Sequence, residues 1–115
     1  MKVTRIHDAK AYEAKNHFGM VALRLQGEAA SDCHFASLGL SHFLPGGGAQ
    51  ESASNIEKLY VVVSGEITVV TENDRTVLRE LDSCLLAAGE ARSLINETNL
   101  PASMLVILPS ATRLA

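Results

Sequence analysis

The sequence predicts an all-β domain, an antiparallel sandwich or small barrel, and three observations lead there. About nine short apolar runs are separated by turn signals at regular spacing. Several runs alternate apolar and polar residues or are dense in β-branched ones. No stretch keeps a helical period long enough for a surface helix.

Taken in order, residues 1–19 hold charge, Tyr12 and the cluster Asn16-His17-Phe18-Gly19 without strong periodicity, and are expected to form an arm with a short helical turn at Asp8 to Ala14. Met20 to Gln26 alternates as a strand, and Gly27 to Asp32 has turn character. His34 to Leu44 is a longer extended run whose even positions, His42 among them, share one face while Phe35, Ser37, Gly39, Ser41 and Phe43 share the other. Pro45 is expected to end it, and the three glycines that follow allow a sharp β corner. Lys58 to Ser64 reads as a buried strand, too rich in β-branched and aromatic residues and too short for a helix. A period of two puts Lys58, Tyr60, Val62 and Ser64 on one face, and the same alternation places Ser52 beside Ser54. Gly65 turns the chain into Glu66 to Thr71, Asn73-Asp74 makes the next hairpin, and Thr76 to Leu81 returns. Cys84 to Ala87, Ala91 to Asn96 and Ala102 to Leu108 are the last strands, with breaks at Ala88-Gly89, at Asn99 to Pro101 and at Pro109.

At 115 residues the chain has room for one domain, spanning 1–115. With 47% hydrophobic and 20% charged residues it is ordinary globular material. The net charge of −3 comes without a basic run, which argues against nucleic acid as a partner. The start of the chain lacks the apolar region of a secretory leader, and the longest apolar runs, such as Met104 to Leu108, are far too short to span a bilayer. No membrane association and a cytoplasmic location are therefore expected. Cys33 and Cys84 lack CxxC spacing and read as reduced thiols in apolar surroundings.

The stretch from Gly46 to Gly65 resembles the first signature of the cupin superfamily: Gly, five residues, His-any-His, three residues, Glu, six residues, Gly. Both glycines match, while Ser52, Ser54 and Lys58 stand at the metal-ligand positions. The second signature lies over Leu81 to Asn96, where Gly89 and Asn96 match, Leu81 and Ala87 replace Gly and Pro, and Arg92 stands in place of the fourth ligand, His. The resemblance selects a small double-sheet antiparallel β-barrel, the jelly roll, and implies that Ser52, Ser54, Lys58 and Arg92 converge in the barrel mouth.

Two hydroxyls and two cations cannot build a transition-metal site, so no metal and no other cofactor is expected. Two cations among apolar walls call for an anion. Arg92 offers a planar fork for a carboxylate, Lys58 a mobile point charge, and Ser52, Ser54 and Tyr60 neutral hydrogen bonds. In the alternative, Lys58 and Arg92 pair with Glu57, Glu90 or Asp82 at a strand end. His42, three residues before the corner, is the candidate acid or base facing the pocket, with Tyr60 as its partner. His7 and His17 read as surface or subunit-interface residues. The implied functions are a metal-independent isomerase, epimerase or lyase, a non-catalytic binding or sensing protein, and a structural protein with a decayed site. A two-fold homodimer through the N-terminal arm or an edge strand is expected, because a small strand-rich domain exposes sheet edges.

Overall fold

The computed structural model describes residues 1–110, so residues 111–115 of the expected domain lie outside it. Nine strands follow a single turn of 3-10 helix at Ile6–Asp8: β1 Lys10–Tyr12, β2 His17–Gln26, β3 Ala36–Ser52, β4 Lys58–Ser64, β5 Ile67–Val70, β6 Arg75–Leu78, β7 Ser83–Leu86, β8 Arg92–Ile95 and β9 Ala102–Pro109. All pairings are antiparallel. The order β6-β5-β8-β3-β9-β4-β7, with β2 on β3 and β1 on β2, wraps the strands into the expected double-sheet barrel. No helix among the described residues is long and apolar enough to cross a membrane.

β3 belongs to both sheets. Its first half pairs with β2 and β9, and its second half pairs with β8 and the start of β2. Contrary to expectation, Pro45 does not end the strand. The chain bends at the proline and resumes pairing, because the register between β2 and β3 jumps from Met20↔Phe43 to Phe18↔Gly48 and lets the intervening β3 residues bulge outward. Gly46 takes φ +82 in that bulge, a conformation that costs glycine little. Gly48 is needed for another reason. A Cβ there would land on the Leu94 carbonyl oxygen, 2.8 Å from its carbon and 3.1 Å from Ile95 Cα. Asn96, fully buried, fastens the corner, exchanging backbone hydrogen bonds with Gly46 and Gly47 while its side-chain amide donates to the carbonyls of Phe43 and Leu100.

The N-terminal arm departs further from expectation. Residues 8–14 do not form a helical turn. Instead β1 adds to the edge of β2, where ladder hydrogen bonds and a contact of the Arg24 guanidinium on the Tyr12 ring, 3.8 Å from its centre, outweigh the weak local preference. β2 begins at His17, three residues earlier than the alternation alone suggests. The core is built by alternation, from Phe43 and Ala49 on β3, Tyr60 and Val62 on β4, Leu94 on β8 and Met104 on β9. Over residues 36–43 of β3 the odd face is buried and the even face, which carries His42, points outward. Leu81, standing where the second signature has glycine, keeps a left-handed φ of +67 at the turn before β7, a strain of order 1 kcal/mol for a residue with a Cβ.

Candidate active site

Arg92 opens β8 directly opposite Ser52 of β3, and β8 alternation gives it the same inward face as Leu94. It is only 5% exposed. Its Nε donates to Tyr60 Oη at 2.8 Å, and its Nη1 donates to Ser52 Oγ at 3.0 Å and to the Gln50 carbonyl at 3.3 Å. Nη2 has no hydrogen-bond partner among the described residues, yet no fully buried side-chain donor there is unsatisfied, so Nη2 is not completely shut off from solvent.

The ion pairs among the described residues are His7–Asp8, Arg75–Glu97 and Arg79–Glu66, all at the surface. Arg92 and Lys58 therefore do not pair with Glu57, Glu90 or Asp82. Glu90 instead accepts from the Ala87 amide at 3.0 Å and Asp82 from the Arg79 amide at 2.9 Å. Lys58, half-buried on the inner face of β4, has its pKa lowered by burial and then by the Arg92 charge. Burial pushes the Tyr60 phenol up, and the charge and hydrogen bond of Arg92 only partly offset this, so the hydroxyl is neutral. Because Tyr60 accepts from Arg92, its own proton remains available to a ligand.

Ser52, Lys58, Tyr60 and Arg92 are thus brought together as expected, and His42 is not. The Ser54 hydroxyl is used within its own turn, where it accepts from the Ile56 amide at 3.1 Å. His42 lies on the outer face, its Nδ1 2.7 Å from Ser103 Oγ, because β3 alternation turns it away when Phe43 points in. The histidine near the cations is His17, which sequence reasoning assigned to the surface. It is half-buried, and burial, followed by the charges of Arg92 and Lys58, lowers its pKa against the opposing effect of its bond to the Lys15 carbonyl. Its one signal in the sequence was the pair Asn16 and Gly19 around it, both of which adopt positive φ and start β2 early. Cys84, on the inner face beside Tyr60, has its thiol pushed up by burial and then by Glu90, which suits the inert thiol expected of it.

The metal that a cupin resemblance implies does not fit this site. Its positions present a guanidinium, an ammonium and hydroxyls, none of which serves as a ligand set for a divalent ion. Among the described residues no three His, Cys, Asp or Glu side chains cluster elsewhere. Chelators should therefore leave the melting temperature unchanged, since a bound metal would stabilise the native state by mass action, and one equivalent of metal in the purified protein would contradict this.

Comparison with known proteins agrees with the barrel fold. The profile of the cupin domain family matches residues 39–108. Over 106 residues the chain is 42% identical to Beta-D-galactosidase Rv1717 of Mycobacterium tuberculosis, covering 92% of this chain and 91% of that one. The polyketide cyclase RemF of Streptomyces resistomycificus superposes with a TM-score of 0.84 at 16% identity, over 95% of this chain and 79% of RemF. An RmlC-like cupin from Shewanella frigidimarina gives 0.78 at 15% identity, over 95% and 90% of the two chains. At such identities these structures bear on the fold alone. Barrel, corner glycines and family match together place the chain in the cupin family.

Proposed function

We propose that the barrel binds a small organic anion, a carboxylate held by Arg92 and Lys58 with Ser52 as a neutral partner, and that it catalyses proton transfer of the isomerase, epimerase or lyase type with Tyr60 as a proton donor. The observation that carries this reading is Arg92, a buried cation with no carboxylate partner and one amino group without a hydrogen-bond partner among the described residues. An unpaired charge in such a place is costly, and a bound anion removes the cost while gaining charge-assisted hydrogen bonds. Proton transfer next to a carbonyl needs positioned positive charge and an acid/base pair, which a site without a metal can supply. The same site without turnover would be a binding or sensing protein.

A second reading, action on a galactoside, is favoured by the 42% identity to a protein named a β-D-galactosidase. Guanidinium, ammonium, phenol and serine groups are good partners for sugar hydroxyls. The usual hydrolytic machinery is a pair of carboxylates flanking the glycosidic bond, whereas the positions that the cupin signatures bring together are Ser52, Lys58 and Arg92.

Thermal melts with a panel of small carboxylic acids, their amides and D-galactose separate these readings, alongside release of nitrophenol from a nitrophenyl β-D-galactoside. Stabilisation by acids but not amides supports the anion site. Response only to galactose, with nitrophenol release, replaces it by the second reading. Among variants, Tyr60→Phe should lose turnover and keep binding, whereas His42→Ala should change neither.

The protein is also proposed to act in the cytoplasm as a two-fold homodimer. The outer sheet face leaves Val21 50%, Leu59 43% and Leu85 58% exposed, with the partly buried Leu40, Leu105 and Ile107 on the strands between, an apolar patch that such a contact would cover. Light scattering should give twice the chain mass, and a monomer at high concentration would remove the dimer.

A further inference from the structure

We propose that His17 is the proton-accepting group of the barrel site, an inference that rests on the anion-binding reading. The residue opens β2 opposite Ala49 of β3, Ala49 is paired in turn with Leu94 of β8, and Ser52↔Arg92 is the next pair along that ladder. His17 thus shares a cross-strand ladder with Leu94, two residues from Arg92, and the inward face of Ala49 and Leu94. Its Nδ1 is 2.8 Å from the Lys15 carbonyl oxygen. A carbonyl only accepts, so Nδ1 carries the proton and donates, and Nε2 on the opposite edge of the ring keeps a free lone pair. The local backbone enforces this arrangement. Asn16 takes φ +62, which folds the Lys15 carbonyl back under the ring, and the Gln50 amide donates to the Asn16 carbonyl at 2.9 Å to hold the kink against β3.

Burial, followed by the charges of Arg92 on β8 and Lys58 on β4, lowers the His17 pKa against its bond to the Lys15 carbonyl, which favours a neutral imidazole able to accept. Tyr60 of β4, neutral and bonded to Arg92, supplies the complementary donor. The pocket therefore holds a neutral base, a neutral acid and two fixed positive charges. For a carboxylate with a neighbouring carbonyl the step balances without any co-reactant. The proton on the carbon next to the carbonyl passes to His17 Nε2 as the C–H bond breaks, and its electron pair moves onto the carbonyl oxygen as an enolate stabilised by Arg92 and Lys58. The imidazolium then returns the proton to carbon.

The test uses pyruvate as the probe, with methyl proton–deuterium exchange in D2O followed by NMR and binding followed by thermal melts. His17→Asn is the informative variant, because its amide can still donate to the Lys15 carbonyl in place of Nδ1 while Nε2 is removed. Wild-type protein should exchange the methyl protons faster than buffer, with a rate that rises with pH and levels off once His17 is neutral. His17→Asn should retain the thermal shift from pyruvate and lose exchange by about 10²-fold or more. In parallel, nitrogen NMR of the unliganded protein should show the proton of His17 on Nδ1. Exchange by His17→Asn at the wild-type rate, binding by wild type without exchange, or a proton found on Nε2 overturns the role of His17 while leaving the anion site standing. Failure of pyruvate to bind at all counts against the anion reading itself and takes this inference with it.

Discussion

Arg92→Met should abolish stabilisation by small carboxylic acids while leaving the unliganded protein close to wild-type stability. A charge-assisted hydrogen bond from the free Nη2 is worth about 1.5 to 3 kcal/mol, so its loss weakens binding on the order of 10-fold to 10²-fold. Stability responds differently because two effects oppose each other. Tyr60 and Ser52 lose a hydrogen-bond donor, at about 1 kcal/mol each, whereas a buried charge with no opposite partner gives way to an apolar side chain of similar volume, a change that is often neutral or favourable. Removing the charge also relieves Lys58 and His17, whose pKa values should both rise, since Arg92 contributes to lowering each. Thermal melts with and without acid, and NMR titration of His17, check these outcomes together. A variant that still responds to acids as the wild type does would show that Arg92 does not hold the ligand.

The largest loss of stability is expected from Gly48→Ala. The added methyl group would meet the backbone of β8, which cannot swing aside as a flexible side chain can. Either the β3–β8 pairing opens or the corner refolds. The expected cost is about 3 kcal/mol or more, seen as a fall in Tm of roughly 10 °C or more by calorimetry. Because Ser52 and Arg92 face each other across the same pair of strands, ligand stabilisation should fall as well. Gly46→Ala has open space for its methyl and suffers only from its φ of +82, so its cost should be about 1 kcal/mol. Equal losses in the two variants would mean that close backbone approach is not what requires glycine at 48.

Much of this architecture was legible in the residues because alternation reports directly on burial. The density of β-branched residues in 58–64 marked β4, whose bounds the structure reproduces, and its period of two put Lys58, Tyr60 and Val62 on the inner face. The signature spacing brought Ser52, Lys58 and Arg92 together although they lie on three different elements. Where sequence reading failed, tertiary contacts decided. Alternation in 34–44 defined two faces but not which one pointed inward, and the choice of His42 needed that sign. Phe43, Ser41 and Ser37 take the interior, and His42 is turned out. His17 was missed because its place depends on pairing with Ala49, which has no local pattern, and because Asn16 and Gly19 signal a kink without saying where it aims the ring. The proline at 45 could be read as a stop or as a bend within a strand, and only the bulged register on β2 settles it as a bend.

Both the anion site and the role of His17 depend on a carboxylate sitting on Arg92, and a crystal structure grown with pyruvate tests that most directly. The pyruvate carboxylate should lie within hydrogen-bond distance of Arg92 Nη2 and Lys58 Nζ, with Ser52 and Tyr60 bordering it. A site filled by an apolar side chain, an Arg92 paired with a protein carboxylate, or pyruvate bound elsewhere with the space beside Nη2 closed would contradict it.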